Sequence, residues 1–417
     1  MVLRAPKVLL KIPLTAKHFF GSFFGASKKY IRKKLKRSNP STTKQSSSTT
    51  KKITSNKLTK PKPTDKMKTK QVKAYGTQSP EADLKEVQID RREVLSKDVE
   101  IDILYCGVCH SDLHFARNDW GMTQYPVVPG HEIVGKVTKV GSAVSKHKVG
   151  DIVAVGCLVD SCRTCSSCKN DLEQYCPEWV GTYGGFDKHL QTNTHGGYSE
   201  AIVVDEDFVL QVPNHLDLAG IAPVLCAGIT TWSPLRYWNV NKDSKVAVVG
   251  LGGLGHMAIK LANALGAHVT LFSRSTNKIE DAKALGAHEV VISTDQSQME
   301  KAMGQFDLIL DTVPYEHDFN PYIATLKTNG TLVVLGYLGP LDPPLVTVPM
   351  IMGRKSIAGS LIGGIAETQE LLDFCGKHNI TSDIEVVNIQ DINTAYERML
   401  KSDVKYRFVI DMKSLKN

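Results

Sequence analysis

From about residue 71 onward the apolar positions fall into short alternating runs punctuated by glycine, among them 99–105, 136–140 and 151–155. Successive side chains of a strand point to opposite faces, so runs of period two and this length predict the strands of a β-rich domain. Residues 158–180 break that rhythm with cysteines and polar residues, and they carry too little apolar surface to hold a lobe together by packing. After Pro213 the pattern changes again, and from Lys245 to about Ser356 apolar runs alternate with helical segments. The runs 246–250, 268–272, 289–292, 306–311 and 331–336 read as strands, with helices reaching Leu265 and spanning 278–285. Such alternation predicts a parallel, doubly wound sheet. The expected fold class is therefore α/β, with a β-rich domain over 71–222, a lobe at about 158–180, a parallel-sheet domain over 223–356, and a segment 357–417 returning to the first domain.

With 417 residues, 42% hydrophobic and 23% charged, the chain exceeds one comfortable core and fits about two globular domains. No apolar run approaches the roughly 20 residues that span a bilayer, so no membrane association is expected. The net charge of +8 misleads. Residues 1–70 hold 20 Lys and Arg against the single acid Asp65, a balance of +19 that leaves −11 for the rest. An acidic globular part does not attract nucleic acid, and none is expected as its partner. The basic, Ser/Thr-rich segment 1–70 reads as a disordered extension. It reads either as an organelle-targeting segment, or as a solvated appendage or upstream sequence before a start at Met67. A cytoplasmic location is the default, with organelle targeting by the extension as the variant.

Composition alone does not explain the nine cysteines. Cys162, Cys165, Cys168 and Cys176 stand in the pattern C-x2-C-x2-C-x7-C, a spacing that closes a tetrahedral zinc site of four thiolates. A closed shell leaves the metal no open position, so this site contributes folding energy and not chemistry. A second constellation is built differently, from Cys109, the pair His131 and Glu132, and Cys226. A site of this kind reads as open where the first is closed, and an open position is what lets zinc act as a Lewis acid. Spacing alone does not decide between Cys106 and Cys109 as the ligand.

The run Cys109-His110-Ser111-Asp112, followed 22 residues beyond Cys109 by His131 within Gly130-His131-Glu132 and by Gly135 and Gly141, resembles the zinc-dependent medium-chain alcohol dehydrogenases. The resemblance extends from about residue 71 to the end. It is strongest to the cinnamyl alcohol dehydrogenase and broad-range aldehyde reductase branch, through the segment carrying Pro223, Cys226, Gly228 and Thr230. It implies a GroES-like catalytic domain with a Rossmann domain, and it selects Cys109 over Cys106. It further implies Cys109, His131 and Cys226 as catalytic zinc ligands, with Glu132 approaching the metal when no substrate is bound. Asp112 is then the carboxylate that orients His131. Ser111 and His114 match the family's proton relay, a form of general acid-base catalysis. Trp120 and Met122 correspond to pocket-lining positions. Cys106, Cys157 and Cys375 read as small core residues.

Gly250, Gly252, Gly253 and Gly255 form G-x-G-x-x-G after an apolar strand and before a helix, the context in which this motif binds a dinucleotide pyrophosphate. Where an NAD site places an acid, at the end of the second strand, the chain carries Ser273, Arg274 and Lys278. Hydroxyls and cations suit a 2′-phosphate. Thr230 joins the cofactor set through the resemblance. The expected cofactors are two zinc ions per subunit and NADP(H), and the expected reaction is the interconversion of aldehydes and primary alcohols by a homodimer. The nearest alternative is an NAD-dependent polyol or secondary-alcohol dehydrogenase. A zinc-binding module without catalysis leaves the histidine pair and the glycine motif unexplained.

Overall fold

The computed structural model describes residues 67–336 and 339–416. The expected basic extension, with its targeting and start-site readings, falls almost wholly on 1–66, outside the described residues. The first strand starts slightly before the expected boundary at residue 71. Thr69–Gly76 pairs antiparallel with Lys85–Arg92, so Thr69 and Lys70 already sit in a hairpin.

Two sheets organise the chain. The first has seven strands in the order Leu210–Gln211, Ile152–Val155, Ile133–Val140, Asp98–Val108, Arg407–Asp411, Ile384–Asn388, with Ala201–Asp205 also pairing with Asp98–Val108. Asp98–Val108 is its central element, and its sequence explains why. Val99, Ile101 and Ile103 are fully buried while Glu100, Asp102 and Leu104 are only partly so, the period-two pattern of a strand with one face against the core. The C-terminal strand Arg407–Asp411 lies antiparallel beside it, pairing Phe408 with Val108 and Ile410 with Cys106.

The second sheet is entirely parallel, in the order Glu289–Ile292, His268–Ser273, Lys245–Val249, Phe306–Asp311, Leu326–Val334, Ser356–Gly359. This 3-2-1-4-5-6 arrangement places its switch point between Lys245–Val249 and Phe306–Asp311, where dinucleotides bind in doubly wound folds. Two details differ from expectation. Leu326–Val334 starts five residues before Thr331, its first half hidden in sequence by the polar Lys327, Thr328 and Asn329. The sixth strand, Ser356–Gly359, straddles position 356, where a boundary was expected.

The core between the sheets is built from helices Leu218–Ile221, Ala227–Tyr237 and Gly255–Ala264, whose buried residues join strand residues of both sheets in one cluster. Among the described residues no single helix is long and apolar enough to cross a membrane. The bent pair Leu218–Leu225 and Ala227–Tyr237 comes nearest by composition, and its Ile221, Val224, Leu225, Ile229 and Trp232 are buried in that cluster. Between residues 158 and 181 only two short strands, Leu158–Asp160 and Val180–Gly181, frame the cysteine lobe. Arg163 anchors the lobe through Asp160, Asp205 and Asp207.

Trp232 is the largest fully buried side chain and stacks near Phe374 at 4.6 Å between ring centroids. Trp232→Ala is expected to destabilise the protein by about 3–5 kcal/mol, read as a lower midpoint in chemical denaturation followed by circular dichroism.

Candidate active site

A short helix, His110–Ala116, begins at the end of the central strand. Cys109 is its N-cap: its Sγ accepts from the Ser111 N–H, and the Asp112 carboxylate accepts from the Cys109 N–H, a capping box that fixes the start of the helix. Asp112 is fully buried and does more than cap. Its Oδ1 accepts from the Gly130 N–H at 3.0 Å and from His131 Nδ1 at 3.0 Å, and its Oδ2 accepts from the Cys109 N–H at 2.9 Å and the Tyr198 hydroxyl at 3.3 Å. A carboxylate offers about four acceptor sites, so this one is filled. With Nδ1 donating to Asp112, the other ring nitrogen of His131 presents its lone pair to the cleft.

Cys226, at the start of helix Ala227–Tyr237, reaches the same place from the other side. Ligand atoms of Cys109, His131, Glu132 and Cys226 lie within 4.8 Å of one another, and the two Sγ atoms are 4.0 Å apart. Thiolates sharing a tetrahedral zinc at 2.3 Å stand about 3.8 Å apart, so the donor set fits that ion in type and spacing. One ligand-grade atom is also left over: Glu132 Oε2 is buried with no hydrogen-bond partner. Gly107 makes room for it, since a Cβ there would lie 1.9 Å from that oxygen.

The second carboxylate oxygen of Glu132 is taken by Arg407, a residue that no motif or spacing singles out. Arg407 is buried, donates to the Val108 carbonyl as well, and lies against Gly253 of the glycine loop, where a Cβ would meet its Cδ at 2.7 Å. It therefore connects the cleft of the first sheet to the loop of the second. Burial pushes the Glu132 carboxyl up to about 7 despite the pull of this guanidinium.

Other expected residues sit around this cluster. Ser111 and His114 share the short helix; His114 Nδ1 pairs with Asp119 at 2.7 Å, and its ring lies 6.1 Å from His110 and 5.8 Å from Trp120. Met122 is 44% exposed, on the surface beyond them. Cys106 and Cys375 are buried. Cys157, expected as a core residue, is only partly buried and bonds the Leu225 carbonyl and Cys226, which makes it a third thiol at the edge of the site. Tyr183 was not expected. Its ring lies 5.5 Å from His131 and 5.1 Å from Phe115, and burial, with the Asp112 charge beside it, raises its phenol well above the ordinary range.

The four cysteines of the lobe also converge, with all ligand atoms within 4.8 Å. Cys162 and Cys168 are 3.9 Å apart and Cys165 and Cys168 3.5 Å, close to the separation that four thiolates take around zinc. Backbone N–H groups of Cys165 and Cys168 point at sulfurs three residues earlier, as expected where thiolates need stabilising.

At the parallel sheet, the glycine motif turns between strand Lys245–Val249 and helix Gly255–Ala264. Gly250 has φ of +90°, and a Cβ on Gly255 would lie 2.1 Å from the Gly250 carbonyl oxygen, so the turn tolerates a side chain at neither position. A Cβ on Gly252 would meet nothing, and the open space above the loop is a cradle of the kind a pyrophosphate fills. Lys278 reaches back to donate to the Leu251 carbonyl at 3.0 Å, Ser273 Oγ bonds the Ser275 carbonyl, and Arg274 is exposed at the strand end. Thr230 is buried in its helix, one turn beyond Cys226. A further unexpected residue, His256, is fully buried behind the loop. It touches the Gly252 carbonyl through Nδ1 and Ser382 Oγ through Nε2, and stacks on Tyr406.

Comparison with known proteins follows the same division. Residues 96–214 match the alcohol dehydrogenase GroES-like domain and residues 253–377 the zinc-binding dehydrogenase family. The chain is 52% identical over 349 residues to the NADP-dependent alcohol dehydrogenase C 1 of Mycolicibacterium smegmatis, covering 83% of this chain and 99% of that protein. It is 51% identical over 350 residues to the aldehyde reductase YahK of Escherichia coli, covering 84% and 99% respectively. The structure of a cinnamyl alcohol dehydrogenase from Sorghum bicolor superposes with a TM-score of 0.79 at 46% identity, covering 82% of this chain and 98% of that one.

Burial, reinforced by the Arg407 charge, lowers His256 to about 3. Unfolded histidine titrates near 6.5, so between these values the unfolded state binds the extra proton and stability falls as pH falls. The loss should approach roughly 1.4 kcal/mol per pH unit from this residue below about pH 6. Thermal melts of the parent and of His256→Gln across pH 7 to 4 are expected to show the steeper decline in the parent.

Proposed function

The chain belongs to the zinc-dependent alcohol dehydrogenase family, and from that membership we propose that it interconverts aldehydes and primary alcohols with NADP(H), on a broad set of substrates that includes aromatic aldehydes. The observation that carries the proposal is the convergence of Cys109, His131 and Cys226 in a cleft that Arg407 links to the glycine loop. When bound, zinc supplies a Lewis acid for the carbonyl oxygen and NADPH supplies the hydride.

The residues then divide the work. Cys109, His131 and Cys226 hold the ion, and Asp112 keeps the His131 ring turned toward it. Cys162, Cys165, Cys168 and Cys176 hold the second ion and brace the lobe. Ser111, beside the ligand Cys109, passes a proton at its hydroxyl. His114 is 31% exposed and bound to Asp119 through Nδ1, which leaves Nε2 to exchange that proton with water. Phe115, Tyr183 and Trp120 give the cleft aromatic walls, which favour flat aldehydes. Gly250, Gly252, Gly253 and Gly255 would take the pyrophosphate, Thr230 would join the cofactor contacts, and Ser273, Arg274 and Lys278 would receive the 2′-phosphate at a strand end that carries no acid.

We further infer a homodimer. Ser356–Gly359 is an edge strand, paired on one side only, and Val348, Ile351 and Met352 next to it are between 62% and 81% exposed. An open edge flanked by apolar residues is a template for a second copy. None of the nine cysteines is in a disulfide, and six of them serve zinc in this reading, which suits a reducing compartment such as the cytoplasm.

Steady-state oxidation of NADPH with aliphatic, benzylic and cinnamyl aldehydes, with and without a zinc chelator, tests the function. Turnover on several aldehydes, lost with chelator and lost in Cys226→Ala, is expected, with kcat/KM higher for NADPH than for NADH. Comparable values for the two cofactors would overturn the NADP assignment. Oxidation of sorbitol or 2-alkanols in place of aldehyde reduction would overturn the substrate class. For the dimer, sedimentation equilibrium is expected to give twice the chain mass, falling to one in Ile351→Asp/Met352→Asp.

A further inference from the structure

Arg91 stands out among the charged groups that the proposed chemistry does not use. Its guanidinium is partly buried, and every hydrogen bond it makes goes to a neutral acceptor: the carbonyls of Ala201, His195 and Gly196 and the hydroxyl of Ser199, all between 2.8 and 2.9 Å. Burial, aggravated by the neighbouring Arg92, pulls it down to about 9. A cation removed from water with no carboxylate in hydrogen-bond contact, Asp187 attracting it only from farther off, is costly, and the fold tolerates it here. The loop itself is clamped a second time, by main-chain bonds from Gly196 to Val128, from Gly197 to Gly130 and from Tyr198 to Pro129. Gly196 and Gly197 lie so close to this segment that a Cβ on Gly196 would strike Pro129 and one on Gly197 would strike Ile133.

This double clamp delivers one side chain. Tyr198 is fully buried, and its hydroxyl donates to Oδ2 of Asp112, the carboxylate whose Oδ1 holds His131. Tyr396 interacts with the same phenol from helix Ile392–Leu400. Without the Tyr198 hydroxyl, Oδ2 keeps the Cys109 N–H, with the Tyr183 phenol also at the carboxylate, and the group is held less tightly about its Cβ–Cγ bond. We propose that Tyr198, held in place by Arg91, is a positioning residue for the zinc ligand His131, acting through Asp112. It touches neither substrate nor metal. Its hydroxyl fixes the plane of the carboxylate, and the carboxylate fixes the ring. The inference rests on the zinc reading given above.

The two expected zinc ions make the test internally controlled. In the parent, metal analysis should give two zinc ions per chain and chelator competition two release phases; one ion per chain would defeat the zinc reading itself, separately from this inference. Tyr198→Phe keeps the ring and removes the hydroxyl. Partners of metal ligands typically contribute 10- to 100-fold to metal affinity, and a group one step further out should sit at the low end, so release from the cleft is expected to be about 10-fold faster. Release from the four-cysteine lobe should not change. The cobalt-substituted variant should show a shifted ligand-field spectrum, and kcat should fall while KM for NADPH stays within about twofold. Arg91→Lys, which keeps the charge and breaks the fork, provides a second arm that leaves Tyr198 intact and should accelerate the same phase. A variant with a lower melting temperature but parental release rate and cobalt spectrum would show a structural role only and overturn the proposal.

Discussion

The filled carboxylate of Asp112 is the constraint on which the rest of the site depends. Four donors reach it from three places in the chain: the cap of a helix, the turn at Gly130 and His131, which supplies a main-chain N–H and the imidazole, and a tyrosine 86 residues away in sequence. Each bond alone is worth roughly 1 kcal/mol net, somewhat more to a charged acceptor. Their joint effect is larger than the sum, because losing any one leaves a buried anion less than fully solvated by the protein. The same carboxylate thus starts a helix, holds the turn at Gly130 and sets a ring orientation, which ties the local geometry of the metal cleft to the packing of the β-rich domain.

Arg407 plays the corresponding part between the two sheets. A buried ion pair is weak evidence of stability, since desolvation of both partners offsets most of their attraction. Here the pair joins groups that must move together. Arg407 belongs to a strand of the first sheet, binds Glu132 beside the metal cleft, and lies against Gly253 of the loop that starts the nucleotide helix. His256 and Lys260 strengthen the same junction, the first on Ser382 and the second on the Thr381 carbonyl and Asp383. Glu132 and the glycine loop thus contact the same side chain.

What could be read from the sequence follows from how local each feature is. The parallel strands were legible because long apolar runs recur between helical segments, and the glycine motif was legible because its chemistry is confined to six consecutive residues. Leu326–Val334 was half hidden because polar residues occupy its exposed beginning, where the sheet does not require apolar ones. Arg407, Tyr183, Tyr198 and His256 were not legible at all. An arginine in an apolar strand, two tyrosines in glycine-rich segments and a histidine after a glycine motif carry no spacing that marks them, and they acquire roles only when distant segments meet. Cys157 was misread for a related reason: a lone cysteine is most often a core residue, and only the position of Cys226, 69 residues on, brings its thiol to the edge of the site.

The same distinction separates the two metal sites physically. The four thiols of the lobe lie within 15 consecutive residues, so a metal can gather them at the cost of closing short loops, before either sheet is complete. Cys109, His131 and Cys226 come from the end of a strand, a turn and the start of a distant helix, and they meet only when that helix has docked against the first sheet. The closed site therefore helps to make structure, whereas the open one requires it. With the three protein ligands proposed, the open site lacks the binding energy of a fourth, so its geometry must be held from outside, by partners such as Asp112. The hydrogen bonds of the cleft are concentrated on that carboxylate for this reason, while those around the lobe go directly to sulfur.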